Sequence, residues 1–280
     1  MIYHTKGLYN LDEEVDWVEY FAGMSACTHS QREAGYRAAR LDIKFFDQKN
    51  SKTRKGRKTS NYYDLTSNSG FILACVMVMK GRSQDFIAWL AMKCSSFCGM
   101  NVGTSGRSAA ASIGRDWYKS VKEANCLLER TICLCQLVTA CFGVWVVEQP
   151  GSSVLDYYPA WLHFLARQYQ VFGTCAVWKT RWWMMMYGSQ SPKRHWAYSN
   201  SRSIGKLDIG SKKGFKSKIT TVEKYTNRAG KVCYKGTDKL RGTEKFGQIS
   251  PYFLKINFNC VKMLLIEKCV INYRDCCLPT

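Results

Sequence analysis

Segment 17–26 constrains the fold of this chain more than any other stretch. Its sequence, Trp-Val-Glu-Tyr-Phe-Ala-Gly-Met-Ser-Ala, is a short apolar strand that runs into a tight turn at Gly23. A polar, helix-like segment comes next and ends near Gly35, and a second strand-like stretch, 36–43, carries Asp42 near its end. A strand, a glycine turn, a helix and a second strand form a nucleotide-type βαβ unit, in which the helix N-terminus offers free N–H groups to a ligand.

Asp42 strengthens this interpretation, because an acid about 20 residues past the turn can accept hydrogen bonds from both ribose hydroxyls. A single glycine is less specific than a full Gly-x-Gly-x-x-Gly sequence. The same pattern therefore also suits an ordinary first βαβ unit of an α/β domain, and only residues further along the chain separate the two interpretations.

The charge of the chain points to a polyanionic partner. Its 280 residues carry 41 Lys and Arg against 21 Asp and Glu, a net charge of +20. Such an excess favours nucleic acid over an acidic small molecule. The alternative is that the charge serves solubility or belongs to a basic tail.

The cysteines predict reduced thiols in an intracellular protein. There are 14 of them, but no Cys-x-x-Cys pair, so the spacing supports neither a zinc site nor a disulfide framework. The N-terminus opens polar, unlike a signal peptide. The longest uncharged run, 131–147, is short for a membrane span, and we expect neither a metal nor a membrane partner.

Two further predicted strands end in residues that carry chemistry. Segment 86–92 is a core strand that leads to Cys94, and segment 143–147 is a strand that leads to Glu148. Because parallel strands share one carboxyl edge, we expect both residues beside Gly23 and Asp42. Cys94 would be a nucleophile if Lys93 or a helix N-terminus favours its thiolate. With so many cysteines, simple packing is the competing explanation for this one.

The rest of the chain is predicted more coarsely. Helical spacing covers 117–141 and 158–168, strand-like stretches cover 171–178 and 195–199, and 71–80 suits a helix or a strand. Segment 99–115, rich in Gly, Ser and Ala, is either a lid or a linker. The basic run 44–58 is an exposed insertion, a phosphate contact or a nuclear import signal.

The domain boundaries are predicted from composition. We predict an N-terminal lead over 1–16, one α/β domain over 17–200, a basic segment over 201–256 and an unassigned Cys-rich tail over 257–280. Residues 202–245 hold 13 Lys and Arg and four Asp and Glu, so this segment is either a phosphate-contacting or a disordered appendage.

The order of these features resembles the cytosine-C5 DNA methyltransferases, a family that uses S-adenosylmethionine (SAM). Residues 19–23, Glu-Tyr-Phe-Ala-Gly, resemble the family's Asp-x-Phe-x-Gly turn, whose phenyl ring lies on the adenine. Asp42 is placed like the ribose-binding acid, and Asp64 like an acid that contacts the adenine amino group.

The segments around Cys94, Glu148 and Arg194 resemble the catalytic motifs of this family, and they occur in the same order along the chain. Cys94 lies in Lys-Cys-Ser-Ser-Phe, which resembles Pro-Cys-Gln-x-Phe, whose cysteine attacks cytosine C6. Glu148 opens Glu-Gln-Pro, which resembles Glu-Asn-Val, whose carboxylate binds cytosine N3. Gln190 and Arg194 resemble the Gln-x-Arg-x-Arg segment, in which the arginine could contact the base or the lid.

The resemblance implies a Rossmann-like SAM-dependent methyltransferase sheet and DNA cytosine methylation in the nucleus. The implied catalytic residues are Cys94, Glu148 and Arg194. The implied SAM-binding residues are Glu19, Phe21, Gly23, Asp42 and Asp64. The target base would be flipped out of the DNA duplex, since its reactive edge is inaccessible in the stack.

The chain also departs from the family pattern. Ser25 stands in place of the second glycine of the SAM turn, Lys93 in place of the proline, and Pro192 in place of the first arginine. The closing Gly-Asn-Ser motif has no counterpart after residue 200. Two alternatives therefore stay open: a catalytically inactive nucleic-acid-binding relative, and methylation of RNA or another substrate with Cys94 idle.

Overall fold

The computed structural model describes residues 14–46, 61–82, 86–187, 193–211, 214 and 222–236. The strands are β1 (Trp17–Tyr20), β2 (Ala38–Leu41), β3 (Ile87–Leu90), β4 (Val144–Pro150), β5 (Trp178–Trp183), β6 (Arg194–Ser199), β7 (Val222–Thr226) and β8 (Val232–Gly236). The α-helices are α1 (Ala26–Glu33), α2 (Asn68–Met79), α3 (Val102–Ser105), α4 (Lys119–Ala140) and α5 (Pro159–Phe172).

The main sheet has six strands in the order β2-β1-β3-β4-β6-β5. The first four are parallel, and β6 runs antiparallel between β4 and β5. Helices cover both faces of this sheet, so the predicted α/β class is confirmed, and the sheet is consistent with the Rossmann-like methyltransferase fold. Strands β7 and β8 form a separate two-stranded hairpin.

The strand sequences explain why both faces are covered. All four residues of β1 and of β3 are buried, as expected for strands that meet helices on each side. One face packs against α2, α4 and α5. The other face packs against α1 and against the 3₁₀ turn Arg202–Leu207. Ile204 and Leu207 of this turn are buried, so the hydrophobic core includes residues of the chain as far as Leu207.

The helices begin where their sequences allow it. Ser67 caps α2 by accepting a hydrogen bond of 3.0 Å from the backbone N–H of Gly70. Helix α5 begins at Pro159, which lacks the N–H that a first turn leaves unpaired. None of the helices in the described part of the chain is long and apolar enough to cross a membrane.

The sequence predictions differ from the structure in a few places. Segment 71–80, for which the periodicity did not distinguish a helix from a strand, lies in helix α2 and the residue that follows it. The strand predicted over 171–178 is wrong, because α5 continues to Phe172 and β5 begins only at Trp178. The run 47–60, the terminal stretches 1–13 and 237–280, and Gln190 lie outside the described residues.

Candidate active site

The register of the parallel strands lines up the predicted site residues. Tyr20 of β1 lies opposite both Leu41 and Leu90, and Leu90 lies opposite Val147. The next residue on three of these strands is Phe21, Asp42 or Glu148. Neighbouring strands are about 4.8 Å apart, so this row spans only about 14 Å along the carboxyl edge.

The turn after β1 is held in an unusual conformation. Phe21, Gly23 and Ser25 all have positive φ, at 59°, 52° and 58°. Only glycine adopts this region without cost, so Phe21 and Ser25 are strained. Such strain is concentrated at functional sites. Ser25 is also fully buried, and its hydroxyl has no hydrogen-bond partner.

Asp42 joins this turn to the end of β2. Its Oδ2 accepts a hydrogen bond of 2.8 Å from the backbone N–H of Gly23, and its Oδ1 accepts one of 2.9 Å from that of Lys44. Each carboxylate oxygen keeps further acceptor capacity. Asp42 can therefore support the turn and still accept hydroxyl groups of a ribose.

Glu19 supports the turn from the side of α1. Its buried carboxylate accepts hydrogen bonds of 2.7 Å from the backbone N–H of Thr28 and 2.6 Å from the Thr28 hydroxyl. Burial raises the pKa of Glu19 to about 7, although the contacts with Thr28 lower it. The carboxylate thus serves the first turn of α1, and its predicted role in SAM binding stays a prediction.

These residues fit the SAM molecule that the fold family implies. A Cβ placed on Gly23 would meet no atom within 4 Å, so the space in front of the turn is open. Phe21 is only partly buried against the core. Open space, an aromatic ring and an acid with spare acceptor capacity can accommodate the ring and the ribose hydroxyls of an adenosine group.

Asp64 has a local role in the structure. Its Oδ1 accepts hydrogen bonds of 2.9 Å from the backbone N–H and 2.7 Å from the hydroxyl of Thr66, in a turn that leads into α2. Its backbone carbonyl lies where a side chain at Gly70 would clash, at 2.0 Å from an added Cβ. Contact of Asp64 with adenine remains a prediction.

Cys94 lies in a helical turn that comes after β3. Its carbonyl accepts hydrogen bonds of 2.9 Å from the N–H of Phe97 and 3.0 Å from that of Cys98. The hydrogen bond that Cys98 donates to the Cys94 sulfur lowers the pKa of the Cys94 thiol to about 7, against the effects of burial and of the Glu148 charge. For the same reason the pKa of Cys98 is raised. A substantial fraction of Cys94 is therefore thiolate near neutral pH.

The positive charge that favours this thiolate comes from Lys193, just before β6. The sequence predicted this role for Lys93; both lysine side chains are exposed, and Lys193 is the one whose charge lowers the pKa of Cys94. The charge of Glu148 acts on Cys94 in the opposite direction. The register of β3 and β4 places the turn with Cys94 and the end of β4 with Glu148 at the same edge of the sheet, and their joint role in catalysis stays a prediction.

A buried arginine anchors the Cys94 turn. Arg107 is 1% exposed, donates hydrogen bonds of 3.0 Å to the Ser96 hydroxyl and 2.7 Å to the Asn125 amide oxygen, and lies 4.0 Å above the Phe97 ring. It also donates to the carbonyl of Ser112. Segment 99–115 is therefore fixed to α4 through Arg107, and a closing motion of this segment would have to break these bonds.

Glu148 pairs with a histidine that the sequence interpretation did not include. Oε1 of Glu148 makes a close hydrogen bond with Nδ1 of His195 on β6. Burial alone would raise the pKa of Glu148, but the charge and hydrogen bond of His195, helped by Lys193, hold it below its ordinary value. Glu148 is therefore a carboxylate at neutral pH.

Gln149, the residue after Glu148, anchors β4 through hydrogen bonds on the opposite face of the sheet. It is fully buried, its amide nitrogen donates a 3.0 Å hydrogen bond to the carbonyl of Met92, and its amide oxygen accepts one of 3.1 Å from Ser153. This links the strand that carries Glu148 to the chain just before Cys94.

Arg194 lies next to His195 but points to the other face of the sheet, because side chains alternate along a strand. Its guanidinium group is exposed and lies 5.2 Å from the centre of the Trp183 ring. Its predicted contact with a base or a lid remains a prediction.

Three residues of the site escaped the sequence interpretation: Arg107, Lys193 and His195. Strand alternation could have suggested His195, since it comes directly after Arg194 in the chain. Arg107 gives no such signal, because it is a single basic residue in a loop of small residues. No cluster of three or more His, Cys, Asp or Glu side chains that could hold a metal occurs in the described ranges.

Comparisons with known proteins add little to this picture. No family model matches the sequence, and no curated protein matches it. Among solved structures, it is similar to the crystal structure of the S. pombe Dnmt2 methyltransferase, with 10% sequence identity and a TM-score of 0.34. The similarity covers 72% of this chain and 57% of that chain, so the match spans a little over half of that protein. Values this low carry no functional argument, and the fold assignment rests on the sheet order itself.

Proposed function

We propose that this protein transfers a methyl group from SAM to C5 of cytosine in DNA through a covalent adduct on Cys94. One observation carries the proposal: the turn that holds Cys94 and the end of β4 that holds the Glu148 carboxylate lie at the sheet edge that also holds the Gly23 turn. A reactive thiol, a carboxylate and a nucleoside-type turn at one edge match the chemistry of pyrimidine C5 alkylation better than that of a plain binding domain.

The residues of the site have distinct parts in this reaction. The Cys94 thiolate forms a bond to C6 of the base, and the electrons of the C5–C6 double bond shift toward C5 and the ring nitrogen N3. N3 takes a proton from water, and the Glu148 carboxylate accepts a hydrogen bond from the resulting N3–H. Once C5 carries the methyl group, the C5 proton passes to water, the thiolate departs, and the N3 proton returns to the hydroxide left by the first step, which restores the aromatic ring and the free enzyme.

Phe21, Gly23 and Asp42 are the residues that would hold SAM, with Glu19 supporting the turn from behind. When bound, SAM supplies the methyl group that C5 accepts. The turn is prepared for this contact by its own hydrogen bond from Gly23 to Asp42, which exists without a ligand.

The net charge of +20 supports a nucleic-acid substrate, because many Lys and Arg side chains together neutralise backbone phosphates. Such contacts position a nucleic acid without reading its sequence. We propose DNA as the nucleic acid and the nucleus as the place of action.

One feature favours a second candidate, a catalytically inactive methyltransferase-like protein that binds nucleic acid. Ser25 is strained and buried at the point where the resembled turn has its second glycine. A side chain at this position narrows the approach of a cofactor to the backbone.

Calorimetry with SAM and adduct formation on a duplex that contains 5-fluorocytosine test these candidates together. The fluorine blocks the final proton loss, so the active enzyme stays attached to the DNA. We expect SAM binding and an adduct in the wild type, loss of the adduct in Cys94→Ala, and no change in Cys133→Ser, which removes an exposed thiol on α4.

Each result has a defined meaning. DNA binding without SAM binding would support the inactive relative and overturn both enzyme assignments. SAM binding without an adduct on DNA would remove the cytosine-C5 reaction. Methylation of an RNA substrate by Cys94→Ala would identify a different SAM-dependent reaction.

A further inference from the structure

The pair formed by Glu148 and His195 is built into the sheet. His195 lies opposite Pro150 in the antiparallel pairing of β6 with β4. Side chains two residues apart on a strand share a face, so Glu148 and His195 are diagonal neighbours on the same face. The contact between Oε1 and Nδ1 therefore results from strand register and needs no flexible loop.

Both side chains are mostly withdrawn from water, with 17% of Glu148 and 12% of His195 exposed. Nε2 of His195 is buried and has no partner, and the Trp182 ring lies 5.7 Å from the imidazole. Nδ1 is thus the nitrogen through which His195 acts. Among the described residues Glu148 makes no second hydrogen bond, which leaves Oε2 for a ligand.

Charged and titratable groups reach Glu148 from several elements. His195 and Lys193 come from β6 and the residue before it, Cys94 from the turn after β3, and Cys27 from α1. His195 and Lys193 are the two that favour the charged carboxylate, and within the described ranges His195 is the one that bonds it directly. A mostly buried carboxylate with one directed partner has a fixed orientation and a free oxygen.

We propose that His195 is the positioning residue of this site: it holds the Glu148 carboxylate through Oε1 and leaves Oε2 as the acceptor for an N–H group of the bound base. This inference rests on the proposed function, because it assigns the base as the ligand. The chemical class that Oε2 accepts is an N–H donor, such as the amino group of a 4-aminopyrimidine or its protonated ring nitrogen. A carbonyl facing Oε2 would be repelled.

His195 shares the face of Glu148, whereas its neighbour Arg194, for which the resemblance implied a contact with the base or the lid, does not. Arg194 faces the opposite side of the sheet and lies against Trp183, so it does not share the face of Glu148.

The test compares His195→Gln with wild type. Glutamine keeps a hydrogen-bond donor near Oε1 but cannot carry a charge. The control is His163→Gln, which removes an exposed histidine on α5. Two quantities are measured: the titration of the Glu148 carboxyl carbon by NMR in labelled protein, and the rate of adduct formation on a 5-fluorocytosine duplex between pH 5 and 9.

In His195→Gln we expect the Glu148 titration to move to higher pH and the acid side of the rate profile to move with it. The adduct rate at neutral pH should fall about tenfold, as expected for loss of a hydrogen bond to a charged group. His163→Gln should leave both measurements unchanged. A residue with only a structural role would lower the rate at every pH equally and leave the Glu148 titration where it was.

The inference is overturned if His195→Gln folds and neither the titration nor the shape of the rate profile changes. If His195→Gln does not fold, Glu148→Gln provides the test from the other side: the NMR signal of the His195 Nδ1 must move when its charged partner is replaced, and an unmoved signal overturns the inference. If wild type forms no adduct, the proposed function fails, and the NMR measurements on these two variants still decide whether His195 contacts and controls Glu148.

Discussion

Oδ2 of Asp42 accepts a 2.8 Å hydrogen bond from the backbone N–H of Gly23 and so ties the turn after β1 to the end of β2. The second oxygen of the same carboxylate accepts from Lys44. One side chain thus fixes both of the loops that would surround a nucleoside, and its removal should affect stability and ligand binding together.

Replacing Asp42 by Ala tests this link. We expect a loss of about 1–2 kcal/mol in the free energy of unfolding and at least a tenfold weaker affinity for SAM, because two bonds to a charged acceptor disappear. Asp208→Ala is the control, since exposed Asp208 makes a similar bond of 3.0 Å to the N–H of Gly210. Denaturant unfolding and calorimetry give the two quantities. Unchanged SAM affinity in a folded Asp42→Ala protein would exclude Asp42 from the SAM site.

Ser25 should be replaceable by glycine with a gain in stability. Its φ of 58° is costly for any side chain, and its buried hydroxyl has no partner. Ser25→Gly removes both costs, and we expect about 1 kcal/mol of stabilisation in thermal or denaturant unfolding. Ser120→Gly, in the exposed first turn of α4, should destabilise by about 0.5 kcal/mol, because glycine is a poor helix former. A loss of stability in Ser25→Gly would contradict the strain at this turn.

Cys98 should control the reactivity of Cys94. In Cys98→Ala the thiol that donates a hydrogen bond to the Cys94 sulfur is removed, so the pKa of Cys94 should rise from about 7 toward its ordinary value. Alkylation of Cys94 at pH 7, followed by peptide mass spectrometry, should slow about five- to tenfold, since the smaller thiolate fraction is partly offset by greater nucleophilicity. Cys175→Ser, at an exposed site, should leave the rate unchanged. Equal rates in all three proteins would refute the contact.

Glu19 should make stability depend on pH. Its pKa is about 7 in the folded protein and 4.5 as an isolated group, so the folded state binds more protons between these values. Stability should therefore fall as pH rises from about 4.5 to 7, by about 3 kcal/mol in total. Glu19→Gln keeps an acceptor for Thr28 but no charge, and it should lose this component. Denaturant unfolding at pH 5, 6, 7 and 8 measures the free energy of unfolding of both proteins. As the pH rises, the wild-type value should fall relative to that of Glu19→Gln. A difference between the two proteins that stays constant with pH would contradict the raised pKa of Glu19.

The sequence predicted those parts of the site that local patterns encode. The Gly23 turn and Asp42 lie within a single βαβ unit, where strand periodicity and one glycine are sufficient. Cys94 and Glu148 each come after an apolar run, and parallel strands bring such ends to one edge whatever the lengths between them. These predictions needed only the shared edge of parallel strands, and apolar runs in the sequence are enough to identify those strands.

The parts that were not predicted depend on contacts between distant segments. His195 reaches Glu148 only because β6 turns back between β4 and β5, and nothing in its own sequence gives that direction. Arg107 reaches Ser96 and Asn125 through a loop without periodicity. The false strand at 171–178 arose because apolar β-branched and aromatic residues also suit the last turn of an amphipathic helix such as α5.

The antiparallel strand β6 also has a consequence for synthesis. Strand β4 is complete at Pro150, but its outer edge is paired only by a strand that ends at Ser199. Until the ribosome has released that stretch, a nascent chain presents the unpaired N–H and C=O groups of a mostly buried central strand. This interval is the period in which the chain is most exposed to misassembly. Any truncation upstream of β6 would make that exposed edge permanent.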